Sequence, residues 1–214
     1  LKDVFGLTAE DARAKDNWVI RFIPKLGRME VLRVLKYEFK LTTADVQAND
    51  NEALRAAAES GHVEVLCFLK DAFKLTTTDA QAKHNYAFRI AALNGHVEVL
   101  RVLKNEFNLT TTDARAQNNF ALRLAARYGH VEVLRFLKDE FGLTPQDARA
   151  NNNDALRWAA GNGHMEVLRF LKDEFGLTAE DVKANNQDAV KLAAINGHVD
   201  VLQFLKDEFG LTIE

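Results

Sequence analysis

Residues 144–149, Thr-Pro-Gln-Asp-Ala-Arg, place a hydroxyl, a carboxylate and a guanidinium within six positions. Thr144, Asp147 and Arg149 are residue types that can activate a nucleophile or hold an anion. Five histidines (His62, His96, His130, His164 and His198) are the type that most often ligates metal, and the lone Cys67 is a candidate thiol nucleophile. Adjacent acids such as Asp139 and Glu140 offer a further chemistry, general acid–base catalysis. Each reading requires several side chains to converge, so the elements that would position them decide between chemistry and architecture.

Those elements follow from a repeat. Gly27, Gly61, Gly95, Gly129, Gly163 and Gly197 are each 34 residues apart, and so are Leu7, Leu41, Leu75, Leu109, Leu143, Leu177 and Leu211, each followed by Thr. Six units, the last truncated, fit with no insertion or deletion, the signature of stacked units that bury their apolar faces on their neighbours. In residues 63–73, Val63, Leu66, Leu69 and Phe73 recur at helical spacing, and Val65 and Phe68 widen the stripe to a helix packed on two sides. The position that follows (Lys40, Lys74, Asn108, Gly142, Gly176, Gly210) suits a left-handed helix end. Upstream, residues 120–128 predict a shorter helix whose Ala125–Ala126 pair permits close approach, and Gly129-His130 predicts the tight turn of an antiparallel helical pair.

In that register the 144–149 cluster is architecture. Thr144 is an N-cap, Pro145 suits the first helical position, and Asp147 stands at the third, near the positive end of the helix dipole. Asp is shorter than the Glu or Gln of a full capping box, so half of that motif is expected. The Thr-x-x-Asp spacing recurs from Thr8, Thr42, Thr76, Thr110 and Thr178, predicting a short third helix of one to two turns in each unit. That helix should end at Asn151–Asn153, with Asn153 capping the next one. The five histidines that recur at 34 residues, at stacking distances of roughly 10 Å, predict hydrogen bonds in the turns and no metal or cofactor site. Cys67 replaces a mostly Arg position with no base implied beside it, and Asp139–Glu140 reads as a solvated face. No Gly-rich phosphate loop, Cys-x-x-Cys pair or nucleophile elbow is present, so the chain reads as non-enzymatic.

The phrase Gly-His-Val-Glu-Val-Leu, with an Ala-Ala pair just before it, resembles an ankyrin repeat from about residue 17 onward. The longer phrase at residues 118–134 is most similar to the divergent ankyrin arrays encoded by giant viruses and some protists. The tetratricopeptide repeat has the same length, but its Trp, Leu-Gly and terminal Pro positions are unmatched. The resemblance implies an all-α, ankyrin-type repeat solenoid of six helical pairs, a single domain over 1–214. It has a partial unit at 1–16, a degenerate first full unit at about 17–50, and a short capped helix in place of the usual β-hairpin finger. The usual Thr-Pro-Leu-His becomes Asp154-Ala155-Leu156-Arg157. Arg55, Arg89, Arg123, Arg157 and Lys191 occupy the His position and are expected to bond loop carbonyls or the recurring carboxylates Asp45, Asp79, Asp113, Asp147 and Asp181.

For function, the resemblance implies a non-catalytic protein–protein interaction module binding a partner protein through the concave face. Positions that break the repeat are the candidates: Tyr86, Leu93, Phe120, Arg127 and Tyr128, with Glu52 and Glu59, since aromatic and Arg residues are enriched at binding hot spots. Neutral variation at exposed sites accounts for them equally well. Trp158 reads as core, because Ile90, Leu124 and Leu192 occupy its place elsewhere. Two alternatives stay open: the substrate-recognition arm of a larger enzyme, ubiquitin-ligase adaptor or host-directed effector, and a purely structural scaffold. A net charge of -3 gives no basic footprint for nucleic acid. No apolar run approaches the roughly 20 residues that span a bilayer. A single cysteine fits a reducing, cytoplasmic setting, a host cell included. In the degenerate unit Ile23-Pro24 replaces the Ala pair and Arg28 the His; Pro24 should distort the helix, and Trp18, Phe22 and Ile23 should seal the stack or dock a neighbour. Neither chain end reads as a polar cap, which reads as an excerpt of a longer array and a monomer prone to end-to-end stacking.

Overall fold

The computed structural model describes residues 8–210, the side chain of Asn186 excepted; Leu7, Leu211 and the readings of the chain ends lie outside that range. The described residues are helical, with no strand among them. Contacts gather into two compact units that divide between Asp113 and Ala114, each with three helical pairs. In the first unit the first helices are Ala9–Phe22, Thr43–Glu59 and Ala82–Leu93, each followed by a second helix, Met29–Tyr37, Val63–Phe73 and Val97–Asn105. In the second unit Ala116–Arg127, Ala150–Gly161 and Ala179–Ile195 are followed by Val131–Phe141, Met165–Asp173 and Val199–Phe209.

The Ala pairs do what their size permits. Ala57 and Ala58, Ala91 and Ala92, Ala125 and Ala126, and Ala159 and Ala160 are all fully buried. Leu66, Leu69 and Phe73 are likewise fully buried on the second helix. Pro24 breaks the degenerate first helix as expected, leaving a 3-10 turn at Ile23–Leu26.

The Gly-His dipeptide is a device for stacking. Gly129 turns the chain at φ +80°, and a Cβ there would come within 2.9 Å of His164 Nδ1 of the following repeat. Glycine is required twice over, for its backbone and for the ring that lies on it. The same ring places His164 Nε2 2.8 Å from the Arg127 carbonyl, and His198 Nε2 lies 3.1 Å from that of Gly161. His62 and His96 repeat this with the carbonyls of Lys25 and Glu59, both at 3.1 Å. The histidines thus serve the turns.

Within three residues of its end each second helix reaches a left-handed residue whatever its type, Lys74 at φ 58°, Asn108 at 56° and Gly142 at 63° alike. The Leu N–H then closes back, Leu143 on the Leu137 carbonyl at 3.3 Å, which fits the burial of Leu41, Leu75, Leu109, Leu143 and Leu177. At the third helix the capping box is complete rather than half made. The Thr144 N–H donates to Asp147 Oδ2 at 2.8 Å, and the Thr144 hydroxyl accepts from the Asp147 N–H. The short side chain suffices because a single oxygen, Oδ2, takes both the N–H and the hydroxyl of Thr144.

Asn153 does not cap the next helix. Asn151, Asn152 and Asn153 form a left-handed turn with φ of 54°, 59° and 59°, and Lys15–Asn17, Asn49–Asn51, Lys83–Asn85 and Gln117–Asn119 do the same. Left-handed backbone costs roughly 1–2 kcal/mol per ordinary residue and less for Asn, which accounts for the amide-rich composition. The third Asn is buried and reaches into the next repeat, Asn85 Nδ2 to the Asp113 carbonyl at 3.4 Å and Asn153 Nδ2 to that of Asp181 at 3.3 Å.

Candidate functional site

Two ladders of side chains tie successive repeats together and a third row closes the turn within each repeat, and what they leave unused defines the candidate site. The first runs through the capping carboxylates. Arg13 binds Asp45 at 2.9 Å, Gln47 binds Asp79 and Gln81 binds Asp113 at 2.8 Å. In the second unit Arg115 binds Asp147 at 2.8 Å and Arg149 binds Asp181 at 2.7 Å. The trio Thr144, Asp147 and Arg149 is thereby split: Arg149 serves the next carboxylate, and Asp147 is held by the previous repeat. Burial pushes the Asp147 carboxyl up, but the Arg115 guanidinium and the Thr144 N–H and hydroxyl outweigh it and bring its pKa to about 2. A carboxylate so fixed is a poor general base near neutral pH.

The second ladder lies on the second helices. Arg33 stacks over Phe68 at 5.8 Å, Arg135 over Phe170 at 5.2 Å and Arg169 over Phe204 at 5.1 Å. Lys70 pairs with Glu106 at 3.2 Å, Lys172 with Glu208 at 2.6 Å, and Lys138 with Glu174. Cys67 falls where the Arg would stand, and the next repeat carries Val102 where the ring would be. Burial pushes the Cys67 thiol up, and Glu106 and Asp71 add to that, which disfavours the thiolate.

The third ladder is formed by the arginines at the usual His position. Arg55 donates to the carbonyls of Asp50 (3.0 Å) and Asn49 (2.9 Å), Arg89 to those of His84 and Lys83 (both 3.0 Å), and Arg123 to those of Asn118 and Gln117 (both 3.0 Å). Each fork closes its own left-handed turn. The recurring carboxylates are out of this ladder; they belong to the first, because the stacking register brings residues 32 apart together at the caps. Arg157 departs from the row. It binds Asp154 of its own repeat and Asp188 of the next, the latter at 2.9 Å. Its turn is held instead by Asn185 Nδ2, which donates to the Asn152 carbonyl at 2.8 Å.

The sequence-derived candidates lie along the first helices, beside this third ladder. Glu52 accepts from Arg21 at 2.6 Å and from Asn49 at 2.7 Å; the Asn49 hydrogen bond, opposed by burial and helped by Arg21, lowers its pKa. Glu59 pairs with Lys25 at 3.2 Å. Tyr86 lies between the guanidinium groups of Arg55 (5.2 Å) and Arg89 (5.6 Å). Glu52, Glu59 and Tyr86 come together, lining a groove of about 310 Å³ with Arg21, Phe22 and Lys25. Leu93, half-buried at its helix end, does not line it.

In the second unit Phe120 lies under Arg123 at 4.9 Å, and Arg127 and Tyr128 are exposed. Trp158, expected in the core, is half-buried instead and has Arg123 at 5.5 Å and Arg127 at 5.2 Å. Phe120, Arg123, Trp158, Arg127 and Tyr128 therefore form one alternating stack of rings and guanidinium groups. An indole is larger than the leucine it replaces, so its outer edge leaves the core and meets the arginines. The signal for this in the sequence was the size change at a single position of an apolar column. Among the described residues, no cluster of three or more His, Cys, Asp or Glu side chains is placed to hold a metal ion, and no helix is long and apolar enough to cross a membrane.

Residues 138–213 match the family model for ankyrin repeats (3 copies). No curated protein matches the chain. Among solved structures, an ankyrin repeat family protein from Legionella pneumophila aligns with 96% of this chain and 77% of its own, at 23% identity and a TM-score of 0.46.

Proposed function

We propose that the chain is a non-catalytic recognition module that binds a partner protein through the exposed face of its first helices, the face that is concave in ankyrin arrays. Ankyrin repeats generally mediate protein–protein interaction, and the match over residues 138–213 supports that class of function here. The observation that carries the reading is a contrast between positions. The caps, turns and second helices mostly repeat one set of contacts from unit to unit, with departures at Cys67 and Arg157. The repeat positions that hold Tyr86, Leu93, Arg127 and Tyr128 instead change size and charge, and these four side chains are at least partly exposed, whereas Asp154, in the place of Tyr86, is buried. Rigid helices present such side chains with little ordering entropy lost on binding.

The reading is tested by replacing Tyr86, Phe120 and Tyr128 together with Ala and comparing capture of partner proteins, identified by mass spectrometry, with the parent chain. Specific partners should be lost while the melting temperature changes little. Undiminished capture by a stable triple variant sinks the assignment of the face.

A further inference from the structure

We infer that the first-helix face of the second unit recognises an acidic segment of a partner protein, with Arg127 as the anchor for an Asp or Glu side chain; this rests on the recognition reading above. Three observations converge. First, the segments 120–128, 154–162 and 188–196 carry four cations (Arg123, Arg127, Arg157, Lys191) against two carboxylates (Asp154, Asp188), in a chain whose net charge is -3. The face is electropositive against the sign of the whole molecule. Second, those carboxylates are spent on particular arginines: Asp154 on Arg123 at 2.6 Å and on Arg157, and Asp188 on Arg157 at 2.9 Å. Arg127 has no carboxylate within ion-pair distance among the described residues, and its guanidinium is exposed.

Third, Arg127 is already posed. Its guanidinium carbon lies 5.2 Å from the centre of the Trp158 ring and 5.7 Å from that of the Tyr128 ring, cation–π distances to two rings at once that favour this position before any partner arrives. The N–H groups of a guanidinium beside two rings can still donate to a carboxylate, whose two oxygens match its fork. The exposed part of Tyr128 and the outer edge of Trp158 offer apolar surface beside that fork. The complementary ligand is an acidic side chain next to an apolar one. A nucleic acid fits less well, because Asp188 is part-exposed on the same face and would repel a continuous phosphate backbone.

The test uses the full chain with Trp18→Phe, which leaves Trp158 as the only tryptophan of the two in the sequence. The probe is a fluorescein-labelled glutamate-rich peptide with a central leucine, compared with its lysine-rich counterpart and a single-stranded DNA oligonucleotide. The acidic peptide should bind saturably and change Trp158 emission. Arg127→Gln should weaken it about fivefold, the upper end for an exposed ion pair. Trp158→Leu and Tyr128→Asn, which install residues that other repeats carry at those places, should weaken it less and leave the fold intact. Arg135→Gln makes the same charge change on a second helix and should leave affinity within about twofold. The inference is overturned if Arg127→Gln binds as tightly as the parent, if Arg135→Gln loses as much, or if the lysine-rich peptide or the oligonucleotide binds better. If no acidic peptide binds but the triple alanine variant still loses its captured partners, the acidic specificity fails and the recognition face stands. If that variant loses nothing either, both fail.

Discussion

Two turns of the second unit have the same backbone and different locks. Gln117–Asn119 is closed by its own Arg123, whose three nitrogens serve two turn carbonyls and Asp154 at once. At Asn151–Asn153 the corresponding Arg157 has been drawn to Asp154 and Asp188, and an asparagine from the following repeat holds the carbonyl in its stead. The left-handed turn is therefore specified by its amide-rich sequence and by stacking, with the guanidinium as a reinforcement that can be lent elsewhere. Where the arginine is lent, it joins a ladder of alternating charge along the first helices.

The sharpest way to break this comparison is to delete each arginine. Arg123→Ala removes three charge-assisted hydrogen bonds from a buried group and should cost about 3 kcal/mol in urea unfolding. Arg157→Ala should cost about 1 kcal/mol, because Asp154 keeps Arg123 and Asn151 and the turn never depended on it. Equal losses would mean that the turn gains nothing from its own fork.

Acid should expose the cap ladder next. Asp147 is ionised more readily folded than unfolded, so its stabilisation is whole above its unfolded pKa and fades as pH falls through the folded value. For a shift from 3.8 to about 2 the loss should run between about pH 4 and pH 2 and amount to about 2 kcal/mol. Asp45, Asp113, Asp154 and Asp181 have pKa values lowered in the same sense and steepen that limb. Asp147→Asn should flatten it, read as a smaller difference in melting temperature between neutral and acidic buffer. Thr144→Ala, which removes the hydroxyl half of the same box, should cost about 1 kcal/mol at neutral pH. The smallest effect belongs to Cys67→Arg. With Val102 in place of a ring it has nothing to stack on and should move stability by less than about 0.5 kcal/mol, whereas Cys67→Arg with Val102→Phe should gain from the restored pair.

Much of this was legible in the sequence, and what was not has a common cause. The N-caps and the left-handed helix ends depend on residues close along the chain, and the buried Ala pairs and the Gly-His turns recur at one place in each unit, so a fixed period displays them. The expectation that Arg55 and its equivalents bond loop carbonyls holds for Arg55, Arg89 and Arg123 for the same reason, since the carbonyls lie five and six residues upstream. Which cation serves Asp147 depends on how one repeat sits on the next, and that register is not written in local spacing. The Asn triplets misled differently. Asn favours caps and left-handed backbone for the same reason, a short amide that bonds locally, so a run of three fits either and forms the second. At Tyr86 and Glu52 the sequence picked out residues that do vary, but could not show that the arginines of the same face already hold them. Arg127 is the exception.

The histidine ring resting on the glycine of the repeat before it also sets what changes of length the molecule can absorb. Because Gly129 meets His164 just as Gly163 meets His198, removing residues 130–163 would rejoin Gly129 to His164 as a new Gly-His step. Every surviving interface would find the partner type it had before. A cut that is not a whole number of repeats would bring a side chain other than imidazole against the glycine, or a Cβ against the ring. Growth and shrinkage by whole copies is therefore nearly silent to the packing, and exchange between copies is the path along which such a chain gains or loses binding positions without losing its fold.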